Sequence, residues 1–199
     1  MVSTTPFDVR AFATACTTRL VLDLGCGYGR ILDQLVSRGM RAVGLDLSMT
    51  QLERCRGVHA GSLVNASATA LPFADEVFGG VLALGSIDSL TRLSELSSAV
   101  TEVARVLEPN APFWLNFFTV NSDTDFQERY GLVDPSSPHV VRTRSGLTVR
   151  HWQVEEVERQ LVVSGFEVLA SDIRRFLTMH HGRDVAGVQI KARKAQSSP

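Results

Sequence analysis

The chain lacks the features that direct a protein to a membrane, a secretory pathway or a nucleic acid. Its 199 residues contain no apolar run long enough to span a bilayer. The formal net charge at pH 7 is −1, which favours neither a nucleic acid nor an anionic membrane as a partner. Asp8 and Arg10 interrupt the N-terminal stretch, so its pattern is not that of a signal peptide.

Cysteine is also scarce. Cys16, Cys26 and Cys55 have neither the spacing of a metal-ligand set nor the pattern of a disulfide framework. This use of cysteine is typical of a reducing compartment, and we expect a cytoplasmic protein.

Patterns of buried strands and amphipathic helices alternate along most of the chain. We expect strands at 19–24, 41–46, 62–65, 80–84, 111–118, 166–172 and 185–193, and helices at 30–38, 49–54, 93–107 and 154–164. Such alternation predicts a doubly wound α/β domain with helices on both faces of a parallel sheet. One helical turn is expected near 9–14. Residues 119–150 lack a helical period, and we expect a long insertion with one hairpin near 140–150.

The most informative segment is 21–30. A buried strand carries Asp23 near its end, glycines follow at alternate positions (Gly25, Gly27 and Gly29), and a helix then begins. A second strand ends at Asp46. In open α/β sheets ligands bind at the carboxyl ends of the strands, so this pair of strands predicts a site for a nucleoside cofactor. The dinucleotide fingerprint is G-x-G-x-x-G, and the G-x-G-x-G spacing found here better matches a cofactor without a pyrophosphate.

These segments resemble the class I S-adenosylmethionine-dependent methyltransferases of the small-molecule type. The acid-plus-glycine loop at 23–29, the acid that ends strand two and the Leu-Pro-Phe segment at 71–73 fall in the family's order. The resemblance covers 19–118 well and 151–193 moderately. It implies a Rossmann-like, doubly wound sheet of seven strands, mostly parallel with the last strand antiparallel. It also implies S-adenosylmethionine as the cofactor.

The resemblance assigns roles to individual residues. Asp23 and the backbone of the glycine loop would hold the methionine end of the cofactor, and Asp46 would accept hydrogen bonds from both ribose hydroxyls. Leu47 would pack on the adenine. The full set expected at the cofactor is Asp23, Gly25, Cys26, Gly27, Gly29, Asp46, Leu47, Ser67, Ala68 and Leu84.

Structural alternatives compete with these roles. Asp23 is also a candidate N-cap for the next helix, and Asp46 a candidate for a solvated acid at a strand end. Ser67 stands where the family usually has an aspartate, and it is equally consistent with an ordinary loop residue. Gly79 also departs from the family, which often has an aspartate there. Cys26 is interpreted as a small residue that fits the loop, since no neighbouring base would activate it.

The sequence names no catalytic residue firmly, because methyl transfer from a sulfonium needs mainly alignment and exclusion of water. The weak candidates are Asp88, His139, His151 and His180, each with a structural alternative as a loop, surface or packing residue. Tyr130 lies with His139 in the insertion at 119–150. The pair His180-His181 has no carboxylate or cysteine cluster around it, so no metal is expected. Three arginines at 142, 144 and 150 form either a solvated hairpin face or a site for an anionic group of the acceptor.

We therefore expect a single methyltransferase domain over 1–199, with 119–150 as an insertion that caps the acceptor site. Its reaction would be in-line transfer of a methyl group to a small-molecule acceptor, with neither nucleic acid nor membrane as partner. Two alternatives stay open: a cofactor-binding but inactive partner or regulatory protein, and a nicotinamide oxidoreductase. The oligomeric state also stays open.

Overall fold

The computed structural model describes residues 7–56, 62–120, 131–132, 139–143, 146–177 and 184–196. The strands within these ranges are β1 (Leu20–Leu24), β2 (Arg41–Asp46), β3 (Leu63–Asn65), β4 (Gly80–Leu84), β5 (Pro112–Phe118), β6 (Gly131–Leu132), β7 (Val140–Arg142), β8 (Thr148–Arg150), β9 (Phe166–Leu177) and β10 (Asp184–Lys194). The helices are α1 (Val9–Ala15), α2 (Arg30–Val36), α3 (Met49–Arg56), α4 (Leu93–Val106) and α5 (Val154–Val163), and a 3-10 turn covers Ile87–Ser89.

Seven strands form one sheet in the order β3-β2-β1-β4-β5-β10-β9. The first five of these are parallel to one another, while β10 runs antiparallel to both β5 and β9. The predicted Rossmann-like α/β fold, with its antiparallel last strand, is therefore confirmed. A small antiparallel sheet of β6, β7 and β8 lies inside the insertion and includes the hairpin expected near 140–150.

Each face of the large sheet has its own apolar core. One core packs α4 and α5 against the sheet, through residues such as Leu96, Val103 and Leu161. The other packs α1, α2 and α3 against the opposite face, through residues such as Phe12 and Leu35. This division is the doubly wound arrangement that the alternating pattern predicts. Among the helices described, none combines the length and apolar character that crossing a membrane requires.

Two elements are longer than their sequence patterns indicate. β9 was expected at 166–172 and continues to Leu177, through a stretch that includes Arg174 and Arg175. Its backbone pairs along its whole length with β10, and these ladder hydrogen bonds extend the strand where side-chain patterning gives no signal. α1 has seven residues rather than a single turn; Asp8 caps it by accepting a hydrogen bond from the amide of Ala11 at 2.9 Å.

Candidate cofactor-binding site

The glycine loop joins the end of β1 to the start of α2. Gly25, Gly27 and Gly29 all have positive φ, at 76°, 56° and 88°. A Cβ on Gly25 would lie 2.3 Å from the Cβ of Ser86, so the loop approaches the end of β4 as closely as glycine permits. The backbone amides of Gly25 and Cys26 both donate to the carbonyl of Leu45, at 2.7 and 3.0 Å. The loop is thus fixed between the carboxyl ends of β2 and β4.

Asp46, at the end of β2, adds a second attachment for this loop. One carboxylate oxygen accepts from the amide of Gly27 at 2.9 Å, and the other accepts from the amide of Ser48 at 2.8 Å. Asp46 is therefore not simply a solvated acid at a strand end. Each of its oxygens keeps a further lone pair, because one amide uses only one acceptor direction.

Asp23 lies beneath the loop and is 2% exposed. Its Oδ2 is fully buried and accepts no hydrogen bond from the part of the chain that the structure describes. Burial raises the pKa of Asp23 to about 7, although the positive charge of Arg30 opposes this increase. The alternative that Asp23 caps α2 is wrong, because the N-cap is Gly29, which has no side chain to offer.

Leu47 and the segment after β3 form the outer side of the site. Leu47 follows Asp46 and is 74% exposed. The side-chain amide of Asn65 donates to the carbonyls of Asp46 and Leu47, at 3.0 and 2.9 Å, and so holds this corner. The sequence analysis missed Asn65; a polar residue at the end of a short strand was its only signal.

Ser67 and Ala68 are half-buried next to this corner. The hydroxyl oxygen of Ser67 accepts from the amide of Thr69 at 3.2 Å and lies 2.8 Å from the hydroxyl of Thr69. Ser67 therefore stabilises a local turn, as short hydroxyl side chains often do. This contact gives Ser67 a structural role that is independent of any ligand.

Three residues form one cross-strand row at the carboxyl end of the sheet. Leu84 on β4 is the partner of Asn116 on β5, which is in turn the partner of Gln189 on β10. The side-chain oxygen of Asn116 accepts from the amide of Gly85 at 2.6 Å. The buried Nε2 of Gln189, by contrast, has no hydrogen-bond partner among the described residues. Gln189 was also missed; its signal is a polar residue between the buried Val188 and Ile190.

Two of the four catalytic candidates are buried near this row. Asp88, in the 3-10 turn after β4, accepts from the amide of Phe118 at 3.0 Å, and burial raises its pKa to about 8. The ring of His151 stacks on that of Phe118, with 5.6 Å between ring centroids. Burial lowers the pKa of His151 to about 4. Phe118 thus contacts both residues.

The remaining candidates are less informative. His139 is partly exposed, just before β7. His180, together with Tyr130 and His181, lies outside the described residues. Of the three insertion arginines, Arg142 is exposed and Arg144 lies outside the described residues.

Arg150 is not part of a solvated face. Its guanidinium lies 3.9 Å from the ring centroid of Trp152 and pairs with Glu156 at 2.9 Å. It also donates to the carbonyl of Thr91 at 3.4 Å, which joins the hairpin to the segment after the 3-10 turn. The hairpin therefore lies beside the end of β4.

Comparisons with known proteins agree with this geometry. Residues 22–115 match the family model described as a methyltransferase domain. The O-methyltransferase resE of Aspergillus sclerotiorum is 32% identical over 113 residues, which are 52% of this chain and 41% of that protein. The probable tRNA methyltransferase 9B of Homo sapiens is 28% identical over 118 residues, or 58% of this chain and 25% of that protein.

Among solved structures, a SAM-dependent methyltransferase of Methanosarcina mazei superposes with a TM-score of 0.79 at 24% identity. The match covers 89% of this chain and 93% of that chain, and it supports the fold.

The fold and the site together have the form of a nucleoside-binding α/β domain, in which a ligand would lie at the carboxyl ends of β1, β2 and β4. The family match is more specific: residues 22–115 match a methyltransferase domain, and this match supports a class I S-adenosylmethionine-dependent methyltransferase, a class whose cofactor is S-adenosylmethionine. The chain spans 41% of resE and 25% of the human protein.

Proposed function

We propose that this protein transfers the methyl group of S-adenosylmethionine to a small-molecule acceptor by in-line displacement. One observation carries the proposal: Asp23, three left-handed glycines and Asp46 converge at one edge of the sheet. The scarcity of cysteine supports a cytoplasmic location for this activity.

The residues at this edge fit the parts of the cofactor. The second lone pair on each oxygen of Asp46 suits the two ribose hydroxyls, and exposed Leu47 offers an apolar surface to the adenine. The unpaired oxygen of Asp23 suits the ammonium of the methionine end. When bound, the cofactor supplies an electrophilic methyl group on a sulfonium. The backbone of Gly25, Cys26, Gly27 and Gly29, with Ser67, Ala68 and Leu84, completes the proposed set.

The groups beside this site favour an uncharged, small acceptor. Asn116 and Gln189 are uncharged amides, and the pKa values of Asp88 and His151, about 8 and about 4, leave both largely neutral near pH 7. A ligand pocket of this kind has few polar groups that fix orientation within an apolar wall. We propose that 119–150 acts as a cap over the acceptor, within a single domain, and the contact of Arg150 with Thr91 supports that placement.

Calorimetric titration with S-adenosylhomocysteine tests cofactor binding directly. We expect a dissociation constant on the order of micromolar for the natural chain. Asp46→Asn retains one acceptor oxygen and should bind at least about tenfold more weakly, while Asp46→Ala should show no binding. Glu53→Gln, on exposed α3, is the matched control and should bind normally. Circular dichroism melts show whether the Asp46 variants keep the fold, since Asp46 also holds the glycine loop.

Transfer of labelled methyl groups then separates the alternatives. Transfer of the label to compounds in a panel of neutral hydroxylated small molecules, without transfer to bulk tRNA, would support the proposal. Binding of S-adenosylhomocysteine without methyl transfer to any acceptor would favour the inactive partner or regulatory protein. Saturable NADH binding by fluorescence, without binding of S-adenosylhomocysteine, would favour the oxidoreductase and exclude the proposal.

A further inference from the structure

A cavity of about 420 Å³ lies at the opposite end of β1 from the glycine loop. It is lined by α1, by the segment that leads into β1 and by the end of α2. Arg19 precedes β1 and Gly25 follows it, so about 20 Å of extended chain separates the cavity from the cofactor site. The cavity therefore does not belong to the cofactor site.

Three arginines line this cavity: Arg10, Arg19 and Arg38. Its lining contains no carboxylate, and none of the three forms an ion pair with any residue in the described ranges. The carboxylate of Glu108 borders the cavity through its bonds to Thr17 and Thr18, and three lining arginines against this negative charge leave a local excess of positive charge. An anion would relieve the mutual repulsion of these guanidinium groups.

Two of the guanidiniums are held in place and still have free donors. Arg19 uses one nitrogen to donate to the carbonyl of Gly39 at 3.1 Å, and Arg38 uses one to donate to the carbonyl of Gln34 at 2.9 Å. Each guanidinium has five N–H donors in a planar fork, so both can also donate to an oxyanion. The side chain of Arg10 forms no hydrogen bond with the described residues and contributes its full fork.

The threonines of the lining suit the uncharged part of a ligand. The hydroxyls of Thr17 and Thr18 donate to the carboxylate of Glu108, at 2.5 and 3.2 Å. Each hydroxyl oxygen keeps lone pairs, so it can accept a hydrogen bond from a hydroxyl group of a ligand. The cavity is an open cleft between exposed side chains, and its volume of about 420 Å³ is larger than a bare phosphate ion needs.

We propose that this cavity binds a phosphorylated small molecule. Arg10, Arg19 and Arg38 hold the phosphate, for which planar guanidinium forks are well matched, and Thr17 and Thr18 accept from hydroxyls of the same molecule. The site is independent of the proposed methyl transfer, because it shares no residue with the cofactor site.

The test is an NMR titration of the ¹⁵N-labelled full chain with glucose 6-phosphate at constant ionic strength, in the presence of saturating S-adenosylhomocysteine. We expect saturable shifts of the backbone amides at 16–19 and 38–40, tighter binding than inorganic phosphate, and no binding of glucose. Arg10→Gln should weaken binding about tenfold, since it removes one of three charge-assisted contacts. This variant leaves all side-chain hydrogen bonds of the described residues intact. Arg54→Gln, which removes an exposed arginine of α3, is the control and should bind like the natural chain.

Several outcomes would overturn the proposal. These are shifts that do not saturate, equal weakening by Arg54→Gln, or shifts confined to 25–29. Binding of phosphatidylglycerol vesicles without saturable binding of glucose 6-phosphate would assign the arginines to a lipid surface and would contradict the cavity site. Failure of the methyltransferase proposal would appear in the S-adenosylhomocysteine calorimetry instead, so the two failures are distinguishable.

Discussion

At the scale of single residues, two buried amides at the end of the sheet differ in hydrogen bonding. Asn116 is 3% exposed, and its oxygen satisfies the amide of Gly85. Gln189, its cross-strand partner, is 7% exposed, and its buried nitrogen donates to nothing. An unsatisfied buried donor destabilises the fold, whereas removing one partner of a made bond leaves the other unsatisfied. Asn116 therefore supports the fold, and Gln189 opposes it.

Replacement of these two amides should change stability in opposite directions. Gln189→Met keeps the volume and removes the unsatisfied donor, so the free energy of unfolding should rise by about 1 kcal/mol. Asn116→Leu leaves the amide of Gly85 without its side-chain acceptor and should lower it by about 1–3 kcal/mol. Urea unfolding at pH 7 measures both. Loss of stability in Gln189→Met would show that the amide is satisfied within the fold.

The sequence predicted where Asp23 and Asp46 lie but not what each contacts. Both positions follow from strand patterns, because an acid at the end of a buried strand must lie at the carboxyl edge of a parallel sheet. The bond between Asp46 and Gly27 depends on how the loop folds back across β2. The row of Leu84, Asn116 and Gln189 depends on the register of three strands that are distant in sequence. Local patterns contain neither kind of information.

At the scale of elements, Arg105 links α4 to the loop that contains the Leu-Pro-Phe segment. Its guanidinium donates to Glu102 on its own helix at 2.8 Å and to Asp75 in the loop at 2.7 Å. It also donates to the carbonyls of Phe73 and Leu71, at 2.8 and 2.9 Å. One planar side chain thus satisfies four groups and fixes the loop that follows Ala68.

Substitution of Arg105 by lysine should loosen this loop. An ammonium keeps the charge but not the planar fork, so it cannot reach all four acceptors. We expect the free energy of unfolding to fall by about 1–2 kcal/mol and amide exchange at 69–75 to accelerate. Arg193→Lys is the control: its pair with Glu167 is exposed, and the expected cost is below about 0.5 kcal/mol. Equal effects of the two substitutions would contradict the role assigned to Arg105.

The bounds of a strand were predictable where its side-chain pattern and its pairing with neighbouring strands indicate the same residues. The sequence located β2 and β4 to the residue, since both are apolar strands between parallel neighbours. The extension of β9 to Leu177 was not predicted, because pairing with β10 decides it rather than its own side chains. Asn110 adopts the left-handed conformation after α4, at φ 64°, a local turn geometry that asparagine tolerates well.

At the scale of the whole molecule, three buried titratable groups control how stability depends on pH. Burial raises the pKa of Asp23 to about 7 and of Asp88 to about 8, and it lowers that of His151 to about 4. Unfolded carboxyls titrate near 3.9 and unfolded histidine near 6.5. Between pH 4 and 6.5 the folded chain therefore holds two protons on the carboxyls, while the unfolded chain holds one on the imidazole. Stability must then fall as pH rises, and it falls more steeply from 6.5 to 7, where the unfolded imidazole is neutral.

The protein without ligands should therefore be most stable near pH 4. Below about pH 4 the carboxyls of the unfolded chain also take up protons, so stability no longer rises as pH falls. Glu102, whose pKa is lowered by its bond to Arg105, then begins to lose that bond. From pH 5 to 8 we expect the free energy of unfolding to fall by several kcal/mol, because each extra proton on the folded chain contributes about 1.4 kcal/mol per pH unit; urea unfolding at half-unit intervals measures this fall. Asp88→Asn keeps an oxygen for the amide of Phe118 but cannot ionise, so its curve should be flatter and lie several kcal/mol above the natural chain at pH 8. Asp172→Asn, at an exposed site on β9, should run parallel to the natural chain. Stability that rises between pH 5 and 8 would mean that both carboxyls are ionised in the fold, which requires a cation beside each.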